Sequence, residues 1–105
     1  MKIIENICGN DLVLSLEGDF DEVTSPQVED RVEQALSADV PNICFDMSKV
    51  DYISSAGIRV LIIAHKKALK RGKNVKMGKM SKRVSDIIEV VGILPLFSVK
   101  GDQSQ

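Results

Sequence analysis

Between Asn42 and Gly92, strand-like and helix-like segments take turns, and that alternation leaves few folds open. Asn42 to Asp46 holds the unbroken apolar run Ile43-Cys44-Phe45. Such a run fits a strand covered on both faces, as in a central parallel position. A short polar loop is expected after it, ending in Ser54-Ser55-Ala56-Gly57. From Ile58 to Leu69, apolar residues cover a wide helical arc: Ile58, Leu61, Ile62, Ala64, His65, Ala68 and Leu69. Arg59, Lys66, Lys67 and Lys70 occupy the polar arc, and Gly72 is a natural terminator. Val75 to Met80 reads as a strand. Ser81 then caps a further helix with Val84, Ile87, Ile88 and Val91 on one face, closed by Gly92. Strands separated by helices need right-handed crossovers, which make the sheet mainly parallel.

The first part of the chain has a different pattern. Residues 2–8 and Leu12 to Leu16 read as strands around the turn signal Gly9-Asn10-Asp11, so a β-hairpin is expected. Gly18 to Thr24 reads as an acidic loop. A helix follows from Ser25-Pro26 to near Ser37, with Ser or Thr as its cap and Pro in its first turn. Val28, Val32, Ala35 and Leu36 recur on its core face. Leu94 to Val99 is expected to add a short last strand, and residues 101–105 to fray. The expected order is β-β-α-β-α-β-α, with a possible last strand, in one domain over residues 1–105.

Composition narrows the function classes. The sequence has 105 residues, 44% hydrophobic and 28% charged, enough for a packed core without metal or disulfide staples. No apolar run reaches the length of a membrane span, and the N-terminal apolar stretch is too short for a signal peptide. The expected location is the cytoplasm, with no membrane partner. Cys44 lies in an apolar run and reads as a core residue, Cys8 as part of a turn, and no disulfide is expected. No metal site is expected, because the chain lacks CxxC and has His65 as its one histidine.

Net charge is −1, but the halves differ in sign. Acids such as Asp19, Asp21, Glu22, Glu29, Asp30 and Glu33 gather before the serine pair. Lys66, Lys67, Lys70, Arg71, Lys73, Lys76, Lys79, Lys82 and Arg83 gather after it. No aromatic residue lies between Arg59 and Arg83, so the bases read as solvated faces rather than a nucleic-acid surface. An enzyme reading fails on inventory: there is no Walker loop, GxGxxG or GxSxG elbow. No catalytic residue and no cofactor are expected. Asp19, Asp21 and Glu22 read as a solvated loop rather than a Mg²⁺ site.

The serine pair is what remains. A helix start carries unpaired backbone N–H groups and the positive end of the helix dipole. Ser54 can cap the helix while Ser55 projects its hydroxyl, or the roles can be reversed. Ala56-Gly57 leaves the neighbouring backbone approachable. A phosphate there adds nearly two negative charges, which the helix tolerates and a docked acidic partner does not.

Two segments carry a family resemblance. Leu16-Glu17-Gly18-Asp19-Phe20-Asp21 with Thr24, and Phe45-Asp46-Met47-Ser48-Lys49-Val50-Asp51-Tyr52-Ile53-Ser54-Ser55-Ala56-Gly57-Ile58, resemble the STAS family. Within it, they resemble the bacterial anti-sigma factor antagonists. The match runs from about Leu12 to the end of the third helix. The resemblance implies an α/β fold with a four- to five-stranded, mixed and mainly parallel sheet, and helices mostly on one side. It implies phosphorylation at the serine two places before the helix glycine, Ser55, with Ser54 as the alternative. Asp21, Thr24, Ser54, Ala56, Gly57 and Arg59 would form the surrounding partner surface. The best-known members have Asp where this chain has Ser54, and a small residue where it has Arg59.

The implied mechanism is partner switching. The unphosphorylated protein binds an anti-sigma factor that is also a serine kinase, and a sigma factor is released. Phosphorylation of Ser55 breaks the complex, and a PP2C-type phosphatase restores it. ATP would belong to the kinase. The alternatives are a STAS subunit of another assembly, such as a stressosome or lipid-transport complex, and a small nucleotide-binding protein.

Overall fold

The computed structural model describes residues 1–99, so the expected frayed tail at 101–105 lies outside the described residues. The elements are β1 (Lys2–Cys8), β2 (Asp11–Phe20), α1 (Ser25–Leu36), β3 (Asn42–Ile53), α2 (Ser55–Lys70), β4 (Asn74–Met80), α3 (Lys82–Val91), a 3₁₀ turn (Leu94–Leu96) and β5 (Ser98–Val99). They form one five-stranded sheet in the order β1-β2-β3-β4-β5. The β1–β2 hairpin is antiparallel and every other pairing is parallel.

One face of the sheet carries the core. Leu12, Leu14 and Leu16 of β2, Ile43 and Phe45 of β3, and Val75 and Met77 of β4 are buried there. They pack with Val28, Val32 and Leu36 of α1, Leu61, Ala64 and Ala68 of α2, and Val84 and Ile88 of α3 in a single cluster. Intervening residues such as Val13, Ser15 and Asp46 line the other face and lie outside that cluster. Cys44 shares that face and is buried. Asp11 sits there too, its Oδ1 accepting hydrogen bonds from Asn42 Nδ2 at 3.0 Å and Lys76 Nζ at 3.1 Å.

The largest departure from the sequence reading is β3. The polar stretch from Asp46 onward is strand, not loop, and β3 runs on to Ile53. Its pairing with β2 shifts register between Ser15 and Glu17 and between Gly18 and Asp19, each time leaving an extra residue on β3. The first irregularity is pinned by Asp46, whose Oδ1 accepts hydrogen bonds from the N–H and the hydroxyl of Ser48. Each bulge resets which face a residue points to. The buried residues therefore fall three apart, at Met47, Val50 and Ile53. An alternation rule cannot see that period.

The same extension corrects the expected acidic loop. Gly18, Asp19 and Phe20 belong to β2, and only residues 21–24 connect it to α1. Gly18 has φ +114°, a conformation open to glycine, at the second bulge. Two other boundaries also move. Helix α2 begins at Ser55 rather than Ile58. The strand expected over residues 2–8 is β1, so Cys8 is its last residue rather than part of the turn. Leu94–Leu96 is a 3₁₀ turn around Pro95, so β5 is only Ser98–Val99.

Helix α3 starts where β4 stops following β3. Ser81 N–H donates to Met47 O at 3.2 Å, and its hydroxyl donates to Val50 O at 2.7 Å. The same hydroxyl accepts from Val84 N–H, so one side chain caps α3 and ties it to the bulged half of β3. Val91 was expected on the core face of α3 but is 46% exposed. Among the described residues, no helix is long and apolar enough to cross a membrane.

Candidate functional site

The serine pair and the acidic loop meet at the C-terminal edge of the parallel strands. Phe20 and Ile53 are register partners at the ends of β2 and β3. Ser54 N–H donates to Phe20 O at 3.0 Å, carrying the pairing one residue further. Loop 21–24 and the first turn of α2 therefore leave neighbouring strand ends side by side. In parallel α/β sheets, this edge is where functional groups collect.

Gly57 makes the junction possible. A Cβ at that position would lie 2.7 Å from Phe20 O and 2.8 Å from Ile53 Cγ1. Glycine thus lets the first turn of α2 rest directly on the ends of both strands. Gly57 is buried and Ala56 half-buried, so these two pack the junction rather than face outward.

The two serines take separate roles. Ser54 is extended, with φ −95° and ψ 177°, and its hydroxyl accepts a hydrogen bond from Ala56 N–H at 3.2 Å. Its carbonyl accepts the first intrahelical bond, from Ile58 N–H at 3.0 Å. Ser54 is therefore the N-cap. Ser55 is the first helical residue and is exposed. Among the described residues, its hydroxyl makes no hydrogen bond. Of the two arrangements open from sequence, the structure has Ser54 as cap and Ser55 projecting.

Asp21 and Thr24 bind each other before anything else. Asp21 Oδ1 accepts from the N–H groups of Val23 at 3.0 Å and Thr24 at 3.2 Å. Thr24 Oγ1 accepts from Asp21 N–H at 2.9 Å and donates to Asp19 O at 2.8 Å. The loop is thus held by its own side chains. Thr24 occupies the N-cap position of α1, but its hydroxyl turns back into the loop and caps nothing. The hydroxyl of Ser25 donates to Asp21 O, adding a further tie. No hydrogen bond joins Asp21 to Ser55 among the described residues; the two are neighbours through their strand ends.

Arg59 lies one helical turn beyond Ser55 and is exposed. It makes no ion pair or hydrogen bond among the described residues. Val23 was not singled out from sequence. It is 81% exposed at the tip of the loop, and Tyr52 near the end of β3 is 44% exposed. The signal for Val23 was an apolar residue alone among acids, in Asp21-Glu22-Val23-Thr24.

Other candidates resolve into structure. The His65 ring packs edge-on against Phe97, with centroids 5.4 Å apart. Among the described residues, no group of three or more His, Cys, Asp or Glu side chains could hold a metal ion. The open sheet face has a depression of about 190 Å³ lined by Ile4, Asn6, Ser15, Leu16, Glu17, Asp46, Ser48 and Lys49. It lies away from the serines and is smaller than the several hundred Å³ typical of ligand pockets.

Comparison with known proteins places the fold among known ones. The curated protein BtrV of Bordetella bronchiseptica, a candidate anti-sigma factor antagonist, is 24% identical over 99 residues, covering 94% of this chain and 85% of its own. An anti-sigma factor antagonist from Mycobacterium paratuberculosis superposes with a TM-score of 0.84 at 20% identity, over 97% of this chain and 86% of that one. The anti-sigma factor antagonist SpoIIAA in its unphosphorylated form superposes with a TM-score of 0.79 at 13% identity, over 97% and 90%. The phosphorylated form of SpoIIAA, a Bacillus cell fate determinant, gives 0.71 at 12% identity, over 97% and 94%. The family model of the STAS domain matches residues 1–104. The chain belongs to the STAS domain family.

Proposed function

We propose that this chain is an anti-sigma factor antagonist whose partner surface is switched by phosphorylation of Ser55. The observation that carries the reading is the division of labour between the serines. One hydroxyl is spent on the helix cap, and the next is exposed and unbonded beside the loop of Asp21 and Thr24. The single domain acts as a binding protein in the cytoplasm. Ser55, Arg59 and Val23 lie on the docking surface, and Ala56 and Gly57 support it from beneath.

In the unphosphorylated state this surface binds an anti-sigma factor that is also a serine kinase, and a sigma factor is released. The kinase transfers the γ-phosphoryl group of its own ATP to Ser55 Oγ. The hydroxyl proton passes to a base of the kinase and on to solvent, and ADP remains on the kinase. Asp21 Oδ1 is occupied by the loop, which leaves Oδ2 to orient the Ser55 hydroxyl before transfer and to repel the phosphate afterwards. The partner then faces nearly two added negative charges and dissociates. A PP2C-type phosphatase removes the phosphate and resets the switch.

The test is incubation with ATP, Mg²⁺ and an anti-sigma factor serine kinase from the same cell, followed by mapping of the modified residue. Phosphate should appear on Ser55 and vanish in Ser55→Ala. It should accumulate more slowly in Asp21→Asn, whose amide oxygen can still accept the loop hydrogen bonds. Modification at Ser54, or none, would overturn the reading. In the second case, docking without phosphate control, as in another STAS assembly, would replace it.

A further inference from the structure

We propose that Arg59 is the intramolecular clamp for a phosphate on Ser55, so that phosphorylation changes the docking surface twice. The inference rests on Ser55 being the modified residue. Its own ground is the pairing of two exposed side chains at positions i and i+4 of one helix. Such residues share a face, with Cβ atoms roughly 5–6 Å apart. Ser55 opens α2 and Arg59 lies one turn on, both exposed and neither bonded to any described residue. The order also matters, because an acid N-terminal to a base at this spacing is the favourable orientation.

The guanidinium suits the task. It is always charged and presents its donors in a planar fork that matches phosphate oxygens. Lys67 and Arg71 are committed to Glu33 and Arg31 to Glu5, and Lys66 and Lys70 lie far along α2 from Ser55, roughly 16 Å or more at 1.5 Å per residue. Lys82 and Arg83 open α3 on the β4 side, where Ser81 is tied to Val50, and Lys82 pairs with Asp86. Near the ends of β2 and β3 the charged groups are acids: Asp51 on β3, Asp19 on β2, and Asp21 and Glu22 in the loop after it. They oppose the phosphate dianion, and Arg59 supports it.

Two consequences follow for the switch. Without phosphate, Arg59 is free to meet an acidic group on the partner. With phosphate, the same guanidinium folds back onto Ser55. The partner then gains a dianion to avoid and loses a cation to bind. The regulatory step is an exchange of the anion that Arg59 holds.

The test uses protein with phosphoserine installed at position 55 during translation, so no kinase is needed. Phosphorus NMR follows the second ionisation of the phosphate in the wild-type background, in Arg59→Lys and in Arg59→Leu. The phosphate should titrate roughly 0.3 unit lower with Arg59 than with Leu, the strength of a one-turn ion pair expressed as proton affinity. Arg59→Lys should fall between them, and high salt should shrink the difference. The Arg59 Nε–H resonance should move with the same midpoint as the phosphate. A phosphate that titrates identically in all three proteins, or an Arg59 resonance that ignores it, overturns the clamp. Because the phosphate is placed directly, that failure would leave the Ser55 switch standing. Conversely, failure to find Ser55 phosphorylated by a kinase would remove the switch without touching this titration.

Discussion

Ser54 and Ser55 are adjacent and chemically alike, yet one is structural and the other free. Removing the Ser54 hydroxyl leaves Ala56 N–H without its cap, which costs about 1 kcal/mol at typical N-caps. Removing the Ser55 hydroxyl breaks no hydrogen bond of the described residues, so its effect should stay within about 0.5 kcal/mol. Urea melts should therefore show Ser54→Ala destabilised and Ser55→Ala close to wild type. Equal loss in both would mean that the cap is shared. Gly57 is the third residue whose identity is fixed by position. Alanine there gains helix propensity, about 1 kcal/mol at most. It also drives a methyl into the Phe20 carbonyl, a backbone atom with nowhere to go. Overpacking of this kind costs about 1–3 kcal/mol, so Gly57→Ala should lower the thermal midpoint. An unchanged midpoint would show that the junction can spread. The sequence placed Ser54, Ser55 and Gly57 at a helix start because serine, alanine and glycine before an apolar run carry that meaning locally. It could not assign cap and projection, because that depends on the backbone angles of a single residue. Asp21 came from a family pattern, and its loop hydrogen bonds were legible only in three dimensions.

At the scale of elements, the helices were readable and the long strands were not. Helical period survives in α1, α2 and α3 because nothing interrupts them, and Ser81 and Gly92 mark both ends of α3. In β3 two bulges replace the period of two by one of three, and half of the strand reads as polar loop. The clasp between α1 and α2 was also invisible, since it joins residues far apart in sequence. Glu33 on α1 accepts a close hydrogen bond from Lys67 Nζ and another from Arg71 Nη2 at 3.1 Å, both on or just past α2. The Lys67 hydrogen bond, with its charge and then Arg71, holds the Glu33 carboxyl below the usual carboxylate range. A lowered folded-state pKa gives stability that is present above the unfolded value, about 4.3, and lost as pH falls through the folded one. Glu33→Gln should therefore be less stable than wild type at neutral pH. The gap in urea midpoint should close as pH drops below about 4. A gap that persists in acid would assign the clasp to neutral hydrogen bonding rather than to charge. The pair is solvent-exposed, so high salt should also narrow the gap.

For the whole molecule, the strand and helix order was the legible part. Segments that alternate between strand and helix force parallel crossovers, and a hairpin at the start supplies the one antiparallel edge. That order makes adjacent strand ends deliver their loops to a common edge. The acidic loop and the serine pair meet there although more than thirty residues separate Asp21 from Ser55. The helices cover one face only, which leaves this edge as the place where a free hydroxyl, a loop of acids and an exposed valine lie together. Under the proposed switch, a phosphate on Ser55 alone decides whether this edge binds its partner. The direct measurement is calorimetric titration of an anti-sigma factor kinase from the same cell with protein carrying no phosphate, phosphoserine at 55 or phosphoserine at 54. The unmodified chain should bind tightly, with at least a hundredfold loss on phosphate at 55, about 2.7 kcal/mol at 25 °C. Equal affinity of the unmodified and Ser55-phosphorylated proteins would rule out the Ser55 switch.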